Sequence, residues 1–140
     1  MRDMPQWLNR VCIVVENANR DLEPLLKDQL QAYHIHVCSD PVAANYWLII
    51  ERDNVRQQIT SISSSTTPRQ YQLTYTVRFK LIRAKGKEIM PSSAVVVTRL
   101  LTVNSDRILG SNDEEDILKR EMRRDAVMQI LERIGAHHAN

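Results

Sequence analysis

Apolar residues recur along the chain with two different periods, and each period predicts a type of element. Val11, Ile13 and Val15 alternate within Leu8 to Val15, which predicts a first strand broken by Asn17-Ala18-Asn19. From Asp21 to Tyr33 the spacing changes. Leu22, Leu25, Leu26, Leu30 and Tyr33, with Gln29 among them, form one helical stripe. Pro24 fits that helix in its first turn, where a missing N–H costs nothing, and Asp21 or Asn19 can cap it. His34 to Cys38 alternates again and reads as a short extended segment, broken by Asp40-Pro41.

A long strand follows from about Asn45 to Ile62, apolar first and polar later, and Ser63 to Pro68 reads as a hairpin loop. The strictest alternation lies between Tyr71 and Ile82. Tyr71, Leu73, Tyr75, Val77, Phe79 and Leu81 share one face; Gln72, Thr74, Thr76, Arg78 and Lys80 share the other. Such a strand rests one face on a core and turns the other to something wet. Ala84 to Lys87 makes a turn, Pro91 ends the short connection, and Ser93 to Val103, rich in Val and Thr, is the next strand. Asn104 to Ser111 reads as a loop. A second helix is expected from about Asp113 to Ile134. Asn112 and Glu115 would pair at its start, the acidic run Asp113 to Asp116 would suit its first turn, and Gly135 would stop it. The expected fold class is α+β: a four-stranded mixed sheet with two helices packed on one face, in the order β-α-β-β-β-α, its other face left polar.

Composition narrows the setting without naming a function. The chain has 140 residues, 43% apolar and 26% charged, which fits one domain with a core of its own and excludes a disordered chain or a disulfide-rich miniprotein. A net charge of +2 is too mild to argue for nucleic acid by itself. The longest apolar runs, Tyr46 to Ile50 and Ala94 to Val97, fall far short of the ~20 residues of a spanning helix. Met1 to Met4 leads almost directly into folded-looking sequence, with no signal peptide. That leaves a cytosolic protein or an exported one seen without its signal. Cys12 and Cys38 both sit in apolar runs. The plainer expectation is two buried reduced thiols, with a disulfide open as the alternative.

Little in the chain suggests catalysis. With glycine only at positions 86, 110 and 135 there is no phosphate-binding loop, and no nucleophile-elbow motif occurs. His34, His36 and Cys38 would share a strand face and could converge on a metal. No fourth ligand stands nearby, so incidental histidines at a strand end are the preferred reading, and neither a metal nor a cofactor is expected. On the second helix, Lys119, Arg120, Arg123, Arg124 and Arg133 interleave with Asp116, Glu121, Asp125 and Glu132, as on a wet face with i,i+4 pairs. Arg78 and Lys80 in mid-strand call for solvent or a polar partner on that face. If the last three strands form a meander, the loops of Arg69 and Arg107 lie at one end of the sheet. Two guanidiniums there could grip a phosphate or carboxylate.

Several of these segments together resemble a known family. Tyr71 to Val77, then Val97-Thr98-Arg99, then Ile117 to Ala126 with its Glu121, Met122 and Ala126 pattern, are similar to LptE, the LPS-assembly lipoprotein of Gram-negative outer membranes. The order of elements agrees along the whole chain, so residues 1–140 read as one LptE-like domain lacking the signal peptide and lipidated Cys. The resemblance implies a non-enzymatic component of lipopolysaccharide transport. It would be lipid-anchored at the periplasmic side of the outer membrane and seated in the lumen of the LptD β-barrel as a one-to-one plug. There it would bind lipopolysaccharide for insertion in the outer leaflet. The family's basic lipopolysaccharide-binding positions fall here on Ser64 and Ser111, neither of them basic. Arg69 and Arg107 stand nearby in the same two loops as substitutes. Arg78, Lys80 and Arg99 would face the partner or serve a structural role, with a structural ion pair the preferred role of Arg99.

Two rivals come from other classes. A nucleic-acid-binding module would use the open sheet face, but needs aromatics exposed there, and Tyr71, Tyr75 and Phe79 alternate with core residues. A small metal-dependent enzyme would need His34, His36 and Cys38 to converge. The leading reading includes no nucleic-acid partner.

Overall fold

The computed structural model describes residues 4–38, 45–61, 69–83, 86–103 and 108–137. Its elements are β1 (Arg10–Asn17), α1 (Leu22–Ala32), β2 (His36–Val37), β3 (Tyr46–Ser61), β4 (Arg69–Arg83), β5 (Glu88–Val103) and α2 (Ile108–Ala136). They form an α+β fold with one curled, mixed sheet in the order β2-β1-β3-β4-β5. The expected four strands are corrected to five. The short segment after α1 pairs in parallel with β1 through Arg10–His36 and Val11–Val37 and so becomes an edge strand. β1 also pairs in parallel with β3, while β3, β4 and β5 form an antiparallel meander.

One core lies between the sheet and the two helices. Leu22, Leu26 and Leu30 of α1 and Met122, Ala126, Ile130 and Ile134 of α2 meet Leu73, Tyr75, Val77, Phe79 and Leu81 of β4. The strict alternation of β4 thus has its expected cause: the odd positions from Leu73 to Leu81 are buried. Ahead of β1, Leu8 is buried in the same core and the Trp7 ring lies 5.1 Å from that of Tyr46.

Both strands flanking β4 change phase. In β3, Ile50 lies opposite Phe79 and Arg52 opposite Arg78, so Glu51 is an extra residue. Leu48 and Ile50 face the helices before this bulge; Asp53, Val55, Gln57 and Ile59 do so after it. In β5, Phe79 pairs with Ser93 but Leu81 with Met90, which puts Pro91 and Ser92 opposite one residue of β4. Pro91 therefore does not end a connection; it lies inside β5. A proline without an N–H is tolerated on an edge strand and at a bulge, and β5 supplies both.

The free edge of β5 is partly covered by side chains. Gln129 of α2 donates its amide to the Val96 carbonyl at 3.2 Å, and Arg99 donates Nη1 to the Thr98 carbonyl at 2.8 Å. Blocked carbonyls disfavour pairing with a further strand.

The helix ends follow local chemistry. Asn19 Oδ1 accepts the Asp21 N–H at 2.8 Å, and Pro24 sits in the first turn of α1. At the other end, His34 N–H donates to Gln31 O and Ile35 N–H to Leu30 O, both at 3.0 Å. His34 takes φ 64°, a left-handed stop usually filled by glycine but open to histidine. α2 begins at Ile108, five residues before the expected start at Asp113, so Asn112 lies inside it and not at its cap. Asn104, Ser105 and Asp106 are residues of the same capping class and stand just before that start. Gly135 does not stop α2, which runs on to Ala136.

The cysteines also depart from expectation. Cys12 and Cys38 form a disulfide, with Cα atoms 5.0 Å apart. The Cys38 N–H donates to the Val11 carbonyl at 3.0 Å, which brings the two residues level across β1 and the end of β2. Neither is a free thiol, and His34, His36 and Cys38 do not converge as ligands: one ends a helix, one lies on β2 and one is in the disulfide.

Candidate functional site

The sheet face turned away from the helices is built from the second phase of each strand. Gln72, Thr74, Thr76, Arg78 and Lys80 come from β4 and Arg52, Asn54, Arg56 and Gln58 from β3. β5 adds Ala94, Val96, Thr98, Leu100 and Thr102. It is not polar throughout. Cys12 and Ile49 are buried on it toward the β1 side, and Val96 and Leu100 are 49% and 57% exposed on β5. Its middle is cationic. Arg52 and Arg78 stand directly opposite each other across β3 and β4, and Lys80 is the next residue of β4 on that face. Like charges opposed on a ladder are unfavourable unless something anionic relieves them.

Two of the sheet's four register shifts, at Glu51 and at Pro91-Ser92, supply part of that relief. Ser92 Oγ donates to Glu51 Oε1 at 2.6 Å, and Arg78 Nη1 reaches Ser92 Oγ at 3.4 Å. Among the described residues Arg78 thus meets one bulge residue, Ser92, which is itself bonded to Glu51 of the bulge in β3. Among the described residues, neither Arg52 nor Lys80 joins an ion pair. Such a face can bind carboxylates or phosphates and offers rows of Thr and Gln for hydrogen bonds. Arg52, Glu51 and Ser92 were missed in the sequence. The signal was present in the apolar phase, which moves from Leu48 and Ile50 to Val55 and Ile59.

Arg99 lies on the other face. It forms an ion pair with Asp125 of α2, both side chains being partly exposed. Nearby, the Tyr75 hydroxyl donates to Asp53 Oδ2 at 2.8 Å. Burial first, then this bond, pushes the Tyr75 phenol well above the usual tyrosine range, while the Arg123 guanidinium acts weakly the other way. Arg123 also lies 3.8 Å from Asp21 at the start of α1. Tyr75 and Phe79 are buried under the helices, and among the described strand residues Trp47, opposite Ile82, is an aromatic on the open face.

The meander brings the β3–β4 connection and the β5–α2 connection to one end of the sheet, since Arg69 pairs with Val103. Arg69 begins β4 there. Arg107 and Ser64 lie outside the described residues, and Ser111 falls in the first turns of α2. No group of three metal-binding side chains occurs among the described residues, and no described helix is long and apolar enough to cross a membrane.

Comparison with known proteins gives a consistent picture. The family described as LptE, Lipopolysaccharide-assembly, matches residues 8–134. The fold is similar to a minor lipoprotein from Acinetobacter baumannii, at a TM-score of 0.78 and 22% identity, covering 94% of each chain. An uncharacterized lipoprotein B from Nitrosomonas europaea has a TM-score of 0.80 and 24% identity over 96% of this chain and 85% of its own. The rare lipoprotein B from Shewanella oneidensis has a TM-score of 0.76 and 22% identity over 91% and 95%. By sequence, no curated protein matches the chain.

Proposed function

The chain belongs to the LptE lipopolysaccharide-assembly family, and from that membership we propose that it is a non-enzymatic plug of the LptD β-barrel that binds lipopolysaccharide for insertion in the outer leaflet. The observation that carries this reading is the length of the family match, which runs from Leu8 to Ile134 and so takes in every strand and nearly all of α2. In its native form the protein is lipid-anchored on the periplasmic side of the outer membrane and sits in the barrel lumen. Large outer-membrane barrels have polar lumens that can be filled by a plug. A sheet face carrying Arg52, Arg78 and Lys80 among Thr and Gln suits contact with such a wall. Arg69, at the start of β4, and Arg107 bind the anionic glycolipid in this reading, in place of the serines at positions 64 and 111.

Co-purification tests the plug role. The protein is expressed in exported, lipidated form with its cognate barrel and extracted in detergent. A stable one-to-one complex is expected; a protein that leaves the detergent extract free of the barrel would overturn the proposal. Charge reversal at both Arg69 and Arg107 should then abolish lipopolysaccharide binding and leave the complex intact. Unchanged binding would remove those two residues from the site.

A further inference from the structure

The two cysteines of the disulfide are unequally buried. Cys12 sits within β1, between β2 and β3, and is only 2% exposed. Cys38 follows β2, the outermost strand on that side, and is half-buried. A thiol or disulfide from outside reaches a sulfur only where it is accessible, and a buried cysteine is inert to exchange. Between the two cysteines lie the whole of α1 and β2, and β2 pairs with β1 over two residues only.

We propose that Cys38 is the entry sulfur of a thiol–disulfide exchange site, served by a dithiol–disulfide oxidoreductase, and that Cys12 is the resolving sulfur. The Cys38 thiolate attacks the disulfide of the donor. The donor S–S bond breaks, a mixed disulfide forms on Cys38, and one donor thiolate leaves. The Cys12 thiolate then attacks the Cys38 sulfur, which forms the Cys12–Cys38 bond and releases the donor as a dithiol. Two protein thiols are oxidised, two protons are lost, and the donor takes up two electrons. The bond fastens α1 and β2 onto β1 after those elements have met, because Cys12 can resolve the mixed disulfide only once Cys38 lies beside it. This inference does not depend on the barrel or on lipopolysaccharide.

The test maps which sulfur is captured. Oxidised wild-type protein, folded, is treated with excess reduced glutathione, quenched in acid, unfolded, alkylated and analysed by mass spectrometry. Glutathione on Cys38 with the alkyl group on Cys12 is expected; the reverse labelling would overturn the proposal. As a second measure, the folded variants Cys12→Ala and Cys38→Ala are treated with oxidised glutathione. Cys38 should react about ten-fold faster or more than Cys12, and the two rates should converge in denaturant. Equal rates in the folded proteins, a difference that survives unfolding, or wild-type protein recovered from an oxidising compartment with both thiols free would each refute it.

Discussion

β3 is one strand with two lives. From Tyr46 to Ile50 it lies between β1 and β4 under the helices, and Leu48 and Ile50 are fully buried. Beyond Asp53 it pairs with β4 alone and is exposed on both faces: Ile59, on the same face as Ile50, is 52% exposed. Its hairpin partner does not divide in this way, because α2 covers β4 as far as Leu73. A strand's alternation therefore reports what lies over it and not the strand itself. β4 keeps a helix above it and reads cleanly, while β3 loses its cover halfway and turns polar.

Ile50→Ala against Ile59→Ala is the sharpest test of that division, with one residue type on one face of one strand. Ile50→Ala should cost ~2–5 kcal/mol in urea denaturation. Ile59→Ala should change stability by less than about 0.5 kcal/mol. Similar losses at both sites would end the distinction. Replacing both cysteines by alanine should cost about 3–4 kcal/mol, from the closure of a loop of 26 residues' separation. Hydrogen exchange should then quicken in β1, β2 and the first half of β3, with the outer half of the hairpin unchanged.

Tyr75 marks the border, since it is covered by α2 yet bonded to Asp53 where β3 begins to emerge. Tyr75→Phe should cost about 1–2 kcal/mol. It should also alter the alkaline limb of the stability profile. The phenol pKa is raised in the folded protein, so its contribution is complete below about pH 10 and falls as pH rises above it, because the unfolded chain loses that proton first. Phenylalanine should flatten that fall. A smaller effect belongs to Arg99, opposite Leu73 in the outer half of the sheet and paired to α2 by a partly exposed bridge. Arg99→Ala should cost under about 1 kcal/mol. Gln129→Ala, which frees the Val96 carbonyl, should leave stability nearly unchanged and raise self-association in sedimentation.

What could be read from the sequence follows the same physics. The faces of β4 and the apolar stripe of α1 were legible, because each rests on a period continued over many residues, while the meander was a supposition that the strand pairing bears out. β2 was seen as extended but not counted as a strand, since two paired residues carry no period of their own. The start of α2 was missed because Asn112 and Glu115 have the spacing of a capping pair, although the helix already runs from Ile108. The cationic middle of the open face was half visible. Arg78 and Lys80 stood out in a clean alternation, while Arg52 was hidden by the bulge at Glu51. The disulfide was undecidable, since nothing in the residues around Cys12 and Cys38 states that β1 and β2 are neighbours.

The bulges at Glu51 and at Pro91-Ser92 have a further consequence, for how such a sheet tolerates gained or lost residues. Removing one residue at Pro91-Ser92 would put Val95, Val97 and Leu101 out of phase with Met90, so that one side of the bulge would leave the core and that count cannot drift. Removing Glu51 would instead invert only the part of β3 that neither helix shelters, together with the arginine that faces Arg78. The inner half of the sheet is thus fixed in its spelling, and the outer half of β3 is a clause that can be rewritten while the rest of the sentence stands.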